Sequence, residues 1–178
     1  NYTDEWVVEA EKRGLPNAHN TIDALDCMGS DKVKALFSKH GVLTAEELHA
    51  RHEILLERYS KEINIEALTT IDIANRQILP AVLAYSGKLL DSISKAKESG
   101  VTAPAHTKAY EEMSALAAEL QTAIGKLECA AEKAESPASY RDSVIPAMSA
   151  VRSASDKLET RVGASDWPLP TYAEMLFI

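Results

Sequence analysis

The chain has 178 residues, of which 46% are hydrophobic and 26% charged, and this balance is typical of a folded globular protein rather than a disordered one. The formal net charge of −8 argues against nucleic acid or an anionic membrane as the main partner, because both select clustered Lys and Arg. The sequence holds only two Phe and two Trp. Scarce aromatic residues beside abundant Ala, Leu and Glu favour helix-on-helix packing.

The N-terminal part is predicted to form short helices separated by breakers. Thr3 precedes two acidic residues and is a plausible N-cap, and Gly14 can end the helix that it begins. A second short helix is expected over 21–28. Ser30 is predicted to cap a third helix, which ends near Gly41.

A much longer helix is expected next. Thr44 and Glu47 have the spacing of a capping box, and apolar residues then recur at helical spacing from Leu48 to Ala96. Pro80 lacks a backbone N–H and is expected to kink this helix rather than end it, and a break into two helices is left open. So long a helix needs partner helices, because it cannot bury its apolar side against itself.

Two further helices are predicted as partners. Apolar residues alternate by three and four from Tyr110 to Ala134, and again from Val144 to Val162 before Gly163. Short connections predict that neighbouring helices run antiparallel. The predicted fold class is therefore all-α, an elongated antiparallel helical bundle with a long helix and a helical hairpin.

We expect a single domain in three parts. Residues 1–43 form short helices, residues 44–163 form the long helical hairpin or bundle, and residues 164–178 form an apolar tail. A Pro-rich aromatic tail can be a ligand of SH3 or WW domains. A strap against the parent body or a neighbouring subunit is the favoured interpretation, since exposed apolar ends are unfavourable in water. The candidate packing or interface residues are Trp167, Tyr172, Leu176 and Phe177.

The histidines are the first candidates for metal ligands. Glu46 and His49 have the Glu-x-x-His spacing of a di-iron bundle site, but such a site needs a second copy, and the sequence contains none. His49, His52 and Glu53 contain the residue types of a helical zinc-protease motif in the wrong order. A solvated helix surface is the favoured interpretation, and the sequence predicts no catalytic, cofactor-binding or metal-binding residue.

Cys27 and Cys129 have no metal-ligand or redox spacing. Burial in the reduced form is the favoured interpretation, and a disulfide between the two is the alternative. Two cysteines do not make a disulfide framework, so a cytoplasmic location is expected.

Three stretches together resemble the C-terminal region of type III glutamine synthetases. They are EWVVEAEKRGLPN (5–17), the segment from SDKVKALFSKHGVLTAEELH to ANRQILPA (30–81), and WPLPTYAEMLF (167–177). The resemblance implies an ATP-dependent ligase that joins ammonia to glutamate, uses Mg or Mn, and works as a ring of subunits. It also implies that the functional residues lie N-terminal to this chain, so no catalytic residue is carried over.

The first residue is Asn1 rather than Met, and we expect a segment of a longer enzyme. The expected partners are its own catalytic domain and the neighbouring subunits of a homo-oligomeric ring. The alternative is a free-standing coiled-coil interaction or scaffold module.

Overall fold

The computed structural model describes residues 3–170 and 172–176, and all regular secondary structure in these residues is helical. The all-α prediction is confirmed. The chain divides into two compact units, Asn1–Glu62 and Ile63–Ile178, which are described separately below.

Unit 1 contains three short helices and the beginning of a long one. They are α1 (Asp4–Lys12), α2 (Thr21–Asp26), α3 (Asp31–Lys39) and the first part of α4 (Ala45–Ile73).

Each short helix begins at a side-chain cap. The hydroxyls of Thr3 and Ser30 and the amide oxygen of Asn20 accept backbone N–H groups three residues on, at 3.0–3.4 Å. Helix α4 begins at the predicted capping box. The Glu47 backbone N–H donates to Thr44 Oγ1 at 3.2 Å, and the Thr44 N–H donates to Glu47 Oε2 at 2.8 Å.

The buried apolar residues of unit 1 include Ile22, Leu48 and Tyr59. Leu55, which the apolar spacing predicts on the buried face of α4, is exposed, and this is a small correction to the predicted stripe.

Pro80 does not end the long helix. Helix α4 continues into a π-helical segment, Ala74–Ile78, and then into α5 (Leu79–Glu98), which makes 54 consecutive helical residues. Pro80 lies inside this continuous helical run, directly after the π segment and Leu79, and its missing N–H removes one backbone hydrogen bond there. The wide π turn directly before it is a common way for a helix to accommodate such an irregularity.

Unit 2 continues with α6 (Pro104–Glu132), α7 (Pro137–Ser139), a second π segment (Tyr140–Val144) and α8 (Ile145–Glu159). The short helix α9 (Tyr172–Met175) lies in the tail.

Helices α5, α6 and α8, together with the end of α4 and the two π segments, form the core of unit 2. Asn75 donates to Glu128 at 3.2 Å, and Lys157 donates to Glu119 at 2.6 Å. In each pair the two residues are widely separated in sequence and lie on helical segments that pack side by side, as antiparallel neighbours do. The largest fully buried side chains of the unit are Val82, Met113, Leu120, Leu127, Val144, Val151 and Leu158.

The last long helix begins earlier than expected. The sequence predicts Pro146 near the start of this helix, but the helical run begins at Pro137 with Ser136 as its N-cap. Ser136 and Ser139 form a reciprocal capping box at a position where the Ser-Pro pair predicts only a turn. A π segment again lies directly before the proline, as it does before Pro80.

Candidate functional site

The tail leaves α8 through a tight turn that is packed on α5. The backbone N–H groups of Asp166 and Trp167 both donate to the Gly163 carbonyl, at 2.8 and 3.1 Å. Asp166 also forms an ion pair with Lys88 of α5. The turn therefore aims the tail back across the bundle of unit 2.

Trp167 and Leu169 are half-buried and pack against the hydrophobic core of unit 2. The two side chains stand beside prolines 168 and 170, which favour extended backbone. The backbone bends at Pro168 and Leu169.

A cavity of about 350 Å³ lies under the tail, and we call it the tail cavity. Its walls come from the end of α4, the π segment before Pro80, α8 and the tail. The lining residues are Thr70, Ile73, Ala74, Ile78, Val151, Arg152, Ser155, Asp156, Glu159, Trp167, Leu169, Pro170 and Met175.

Apolar side chains form most of the tail cavity, and its charged groups come from α8. Arg152 Nε lies 3.7 Å from Asp156 Oδ2, and both side chains are more than half exposed. Ser155 is buried, and its hydroxyl donates to the Val151 carbonyl at 2.9 Å. Arg152, Asp156 and Ser155 thus have partners within α8. Because the remaining lining is mostly apolar, the cavity suits an apolar occupant.

The four residues predicted for packing or interface have different placements. Trp167 lines the tail cavity, whereas Leu176 is 77% exposed. Tyr172 lies in α9, but its side chain is not described, and Phe177 lies outside the described residues. Thr171, whose residue type predicts an N-cap for the final turn, also lies outside them. Their shared role stays a prediction.

Unit 1 contains a second group of candidate interface residues. Its helices and connections expose several large apolar side chains. We call this set the unit 1 apolar residues: Trp6, Val7, Val8, Leu15, Leu36, Val42, Ile54 and Leu55.

The histidines expected on a helix surface line a small cavity in unit 1. His49, His52 and Glu53 share this cavity of about 220 Å³ with Lys34 of α3. His52 Nδ1 lies 3.6 Å from Glu53 Oε1, and its buried Nε2 has no hydrogen-bond partner within the described residues. Across residues 3–170 and 172–176, no three His, Cys, Asp or Glu side chains are grouped as a metal site requires.

Both cysteines contradict the expectation of burial. Cys27 and Cys129 are free and exposed. Cys27 follows α2 in a short 3₁₀ turn, and Cys129 lies on α6 outside its buried stripe. Hydrophobic character alone therefore predicts their location wrongly.

None of the helices in the described residues combines the length and hydropathy that a bilayer span requires.

Comparisons with known proteins give one consistent result. A family model described as the glutamine synthetase C-terminal domain matches residues 1–97. The chain is 35% identical to a glutamine synthetase from Butyrivibrio fibrisolvens and 32% identical to a type-3 glutamine synthetase from Dictyostelium discoideum. It is 27% identical to a glutamine synthetase from Bacteroides fragilis (strain YCH46). Each match covers 99% of this chain but only 26% of the relative's length.

Proposed function

The chain belongs to the glutamine synthetase C-terminal domain family, and on this premise we propose that it is the helical, non-catalytic C-terminal region of a longer glutamate–ammonia ligase. The observation that carries the proposal is the family match over residues 1–97. The relatives support it, because the chain corresponds to about a quarter of their length.

The ligase chemistry, with ATP and Mg or Mn, is assigned to the remainder of such a polypeptide. Transfer of a phosphoryl group needs clustered carboxylates to hold metal and cationic groups to stabilise the charge that develops. On the same premise we expect the protein in the cytoplasm.

The expected role of this region is to pack against the catalytic domain and contribute to assembly of a homo-oligomeric ring. The unit 1 apolar residues support such a role, because exposed side chains of this size are stabilised when another surface covers them. We expect the chain's own catalytic domain to cover them. Leu176 and Phe177 in the tail are the proposed contacts with a neighbouring subunit.

A ligase assay tests the division of labour. The 178-residue chain alone should show no glutamine formation from glutamate, ammonia and ATP, whereas the longer polypeptide that contains it should be active. Turnover by the isolated chain would refute the proposal. If the chain were instead a free-standing scaffold module, no longer polypeptide containing it would be found in the cell.

A pair of substitutions on α1 tests the docking surface. Val7→Ser with Val8→Ser removes two exposed apolar side chains, so the stability of the isolated chain should change by no more than about 0.5 kcal/mol per residue. In the longer polypeptide the same change should lower thermal stability and activity. Glu11→Ser, on the same helix, is the matched control and should leave both unchanged.

Leu176→Ser tests the tail contact in the same way. Leu176 is exposed, so the isolated chain should be unaffected, while the ring should dissociate at higher protein concentration in analytical ultracentrifugation. An unchanged assembly would count against a subunit contact at this position.

A further inference from the structure

The first part of the tail is attached to the bundle of unit 2 at two adjacent residues, and we call residues 164–170 the tail arm. Asp166 forms an ion pair with Lys88 of α5, and Trp167, the next residue, lines the tail cavity. The backbone N–H groups of both residues donate to the Gly163 carbonyl, so the two belong to one hydrogen-bonded turn. A movement that separates Asp166 from Lys88 therefore also moves Trp167.

Two apolar side chains of the tail arm contact the core of unit 2. Trp167 and Leu169 are half-buried there, whereas Pro168 and Pro170 are exposed. The burial of two such side chains stabilises the arm by an amount of the same order as the conformational entropy lost when a segment of this length is ordered. The prolines reduce that loss, because their φ is fixed before folding. The closed and open positions of the arm are therefore close in free energy, and one ion pair can shift the balance.

The ion pair between Lys88 and Asp166 is partly shielded from solvent. The Asp166 side chain is 26% exposed and that of Lys88 is 63% exposed. Partial burial strengthens the attraction at the carboxylate, whereas water and dissolved salt reach the ammonium group and screen it. We propose that this pair is an electrostatic latch that keeps the tail arm closed over the tail cavity. Loss of either charge shifts the arm towards an open position, in which Trp167 and Leu169 face solvent.

The latch makes the position of the tail arm depend on ionic strength. If apolar packing alone held the arm, neither salt nor removal of one charge would move it, because salt screens charges and not apolar contacts. The inference does not rest on the proposed function. It is tested on the 178-residue chain itself, so its failure leaves the assignment to a longer ligase untouched.

Amide hydrogen exchange at Trp167 measures the opening of the arm. The Trp167 N–H is bonded to the Gly163 carbonyl at 3.1 Å, and it exchanges when the turn opens. Lys88→Gln should raise its exchange rate by about 1.4- to 5-fold, the range that a partly exposed ion pair contributes. Lys95→Gln is the matched control, because Lys95 is another exposed lysine of α5, and it should leave the rate unchanged.

An exchange of the two charges separates their attraction from the size of the side chains. Lys88→Asp and Asp166→Lys should each raise the exchange rate of Trp167, because each places two like charges together. The variant that carries both substitutions should return the rate towards its original value. Sodium chloride at about 1 M should raise the rate in the unchanged chain and have little effect in Lys88→Gln.

Two results would overturn the proposal. Equal exchange rates of Trp167 in Lys88→Gln and Lys95→Gln would show that apolar packing alone holds the arm. An increase in Lys88→Gln that is as large at the amide of Leu127, in the buried stripe of α6, would show a general loss of stability rather than an opening of the arm.

Discussion

Tyr85 lies directly beneath Gly163, so that a Cβ atom on this glycine would stand 3.3 Å from the Tyr85 ring carbon Cε2. The same Cβ would also stand 3.3 Å from Asp166 Oδ2. The absence of a side chain at Gly163 therefore lets the turn that starts the tail rest on α5. This close approach and the Lys88–Asp166 ion pair hold the tail on the bundle of unit 2.

Gly163→Ala is expected to lower the free energy of unfolding by about 1 kcal/mol, because crowding of a packed ring outweighs the entropy that alanine removes from the unfolded chain. Gly87 is the matched control, since it lies on α5 and a Cβ atom there would meet no described atom within 4 Å. Gly87→Ala should raise the free energy of unfolding by about 0.5–1 kcal/mol. Urea denaturation measures both, and a stabilising Gly163→Ala would contradict the packing argument.

Leu127 provides the test of the core of unit 2. Its side chain is 0% exposed, within the buried stripe of α6. Leu127→Ala should lower the free energy of unfolding by about 2–5 kcal/mol, through lost burial and a residual cavity. Leu83→Ala removes the same atoms from a residue that is 57% exposed, and should change stability by at most about 0.5 kcal/mol. Equal losses in the two variants would mean that the buried stripe is assigned to the wrong face.

Local signals account for the features that the sequence predicts well. The capping box at Thr44, the period of apolar residues and the breakers at Gly14 and Gly41 act within a few residues, and each is present in the structure. Both glycines adopt positive φ, at 72° and 62°, which explains why the short helices end there.

Long-range relationships account for the features that it does not predict. Ala74 and Ile78 lie on the predicted apolar stripe and are buried, but Ile73, which lines the same cavity, lies outside that stripe. A 3.6-residue period does not contain the π turn that follows Ile73. The contact between Tyr85 and Gly163 joins residues far apart in sequence, and no local pattern marks it. Trp167 is an aromatic residue beside prolines, and this marks it as a packing candidate. The sequence does not predict which surface it contacts, because that surface forms only when the helices of unit 2 pack together.

The ion pair between Lys157 and Glu119 is expected to contribute little despite its short distance of 2.6 Å. Both side chains are about half exposed, so solvent screens the pair and its formation restricts two long side chains. A double-mutant cycle with Lys157→Met and Glu119→Gln should give a coupling of about 0.2–1 kcal/mol. The coupling should shrink in about 1 M salt. A coupling that salt does not weaken would indicate that the pair is shielded from solvent.

Acidification is expected to weaken the helix around Glu57. A hydrogen bond and the charge of Lys61, whose Nζ lies 2.6 Å from Oε1 of Glu57, lower the pKa of this carboxyl below its ordinary value of 4.5. A carboxyl whose pKa is lower in the folded state contributes stability that is present above its unfolded pKa. This stability is lost as the pH falls from about 4.5 through the folded pKa.

Lys61→Gln removes the hydrogen bond and the charge that lower the pKa of Glu57. The titration midpoint of Glu57, measured by carboxyl NMR, should therefore rise towards 4.5. Below about pH 5, Lys61→Gln and Glu57→Gln should each remove the loss of stability that protonation of Glu57 causes. A variant that carries both substitutions should show no further change in the pH dependence of unfolding. Both side chains of the pair are more than half exposed, so the effect on global stability should be small beside that of Leu127→Ala. A Glu57 midpoint that Lys61→Gln leaves in place would show that another group sets it.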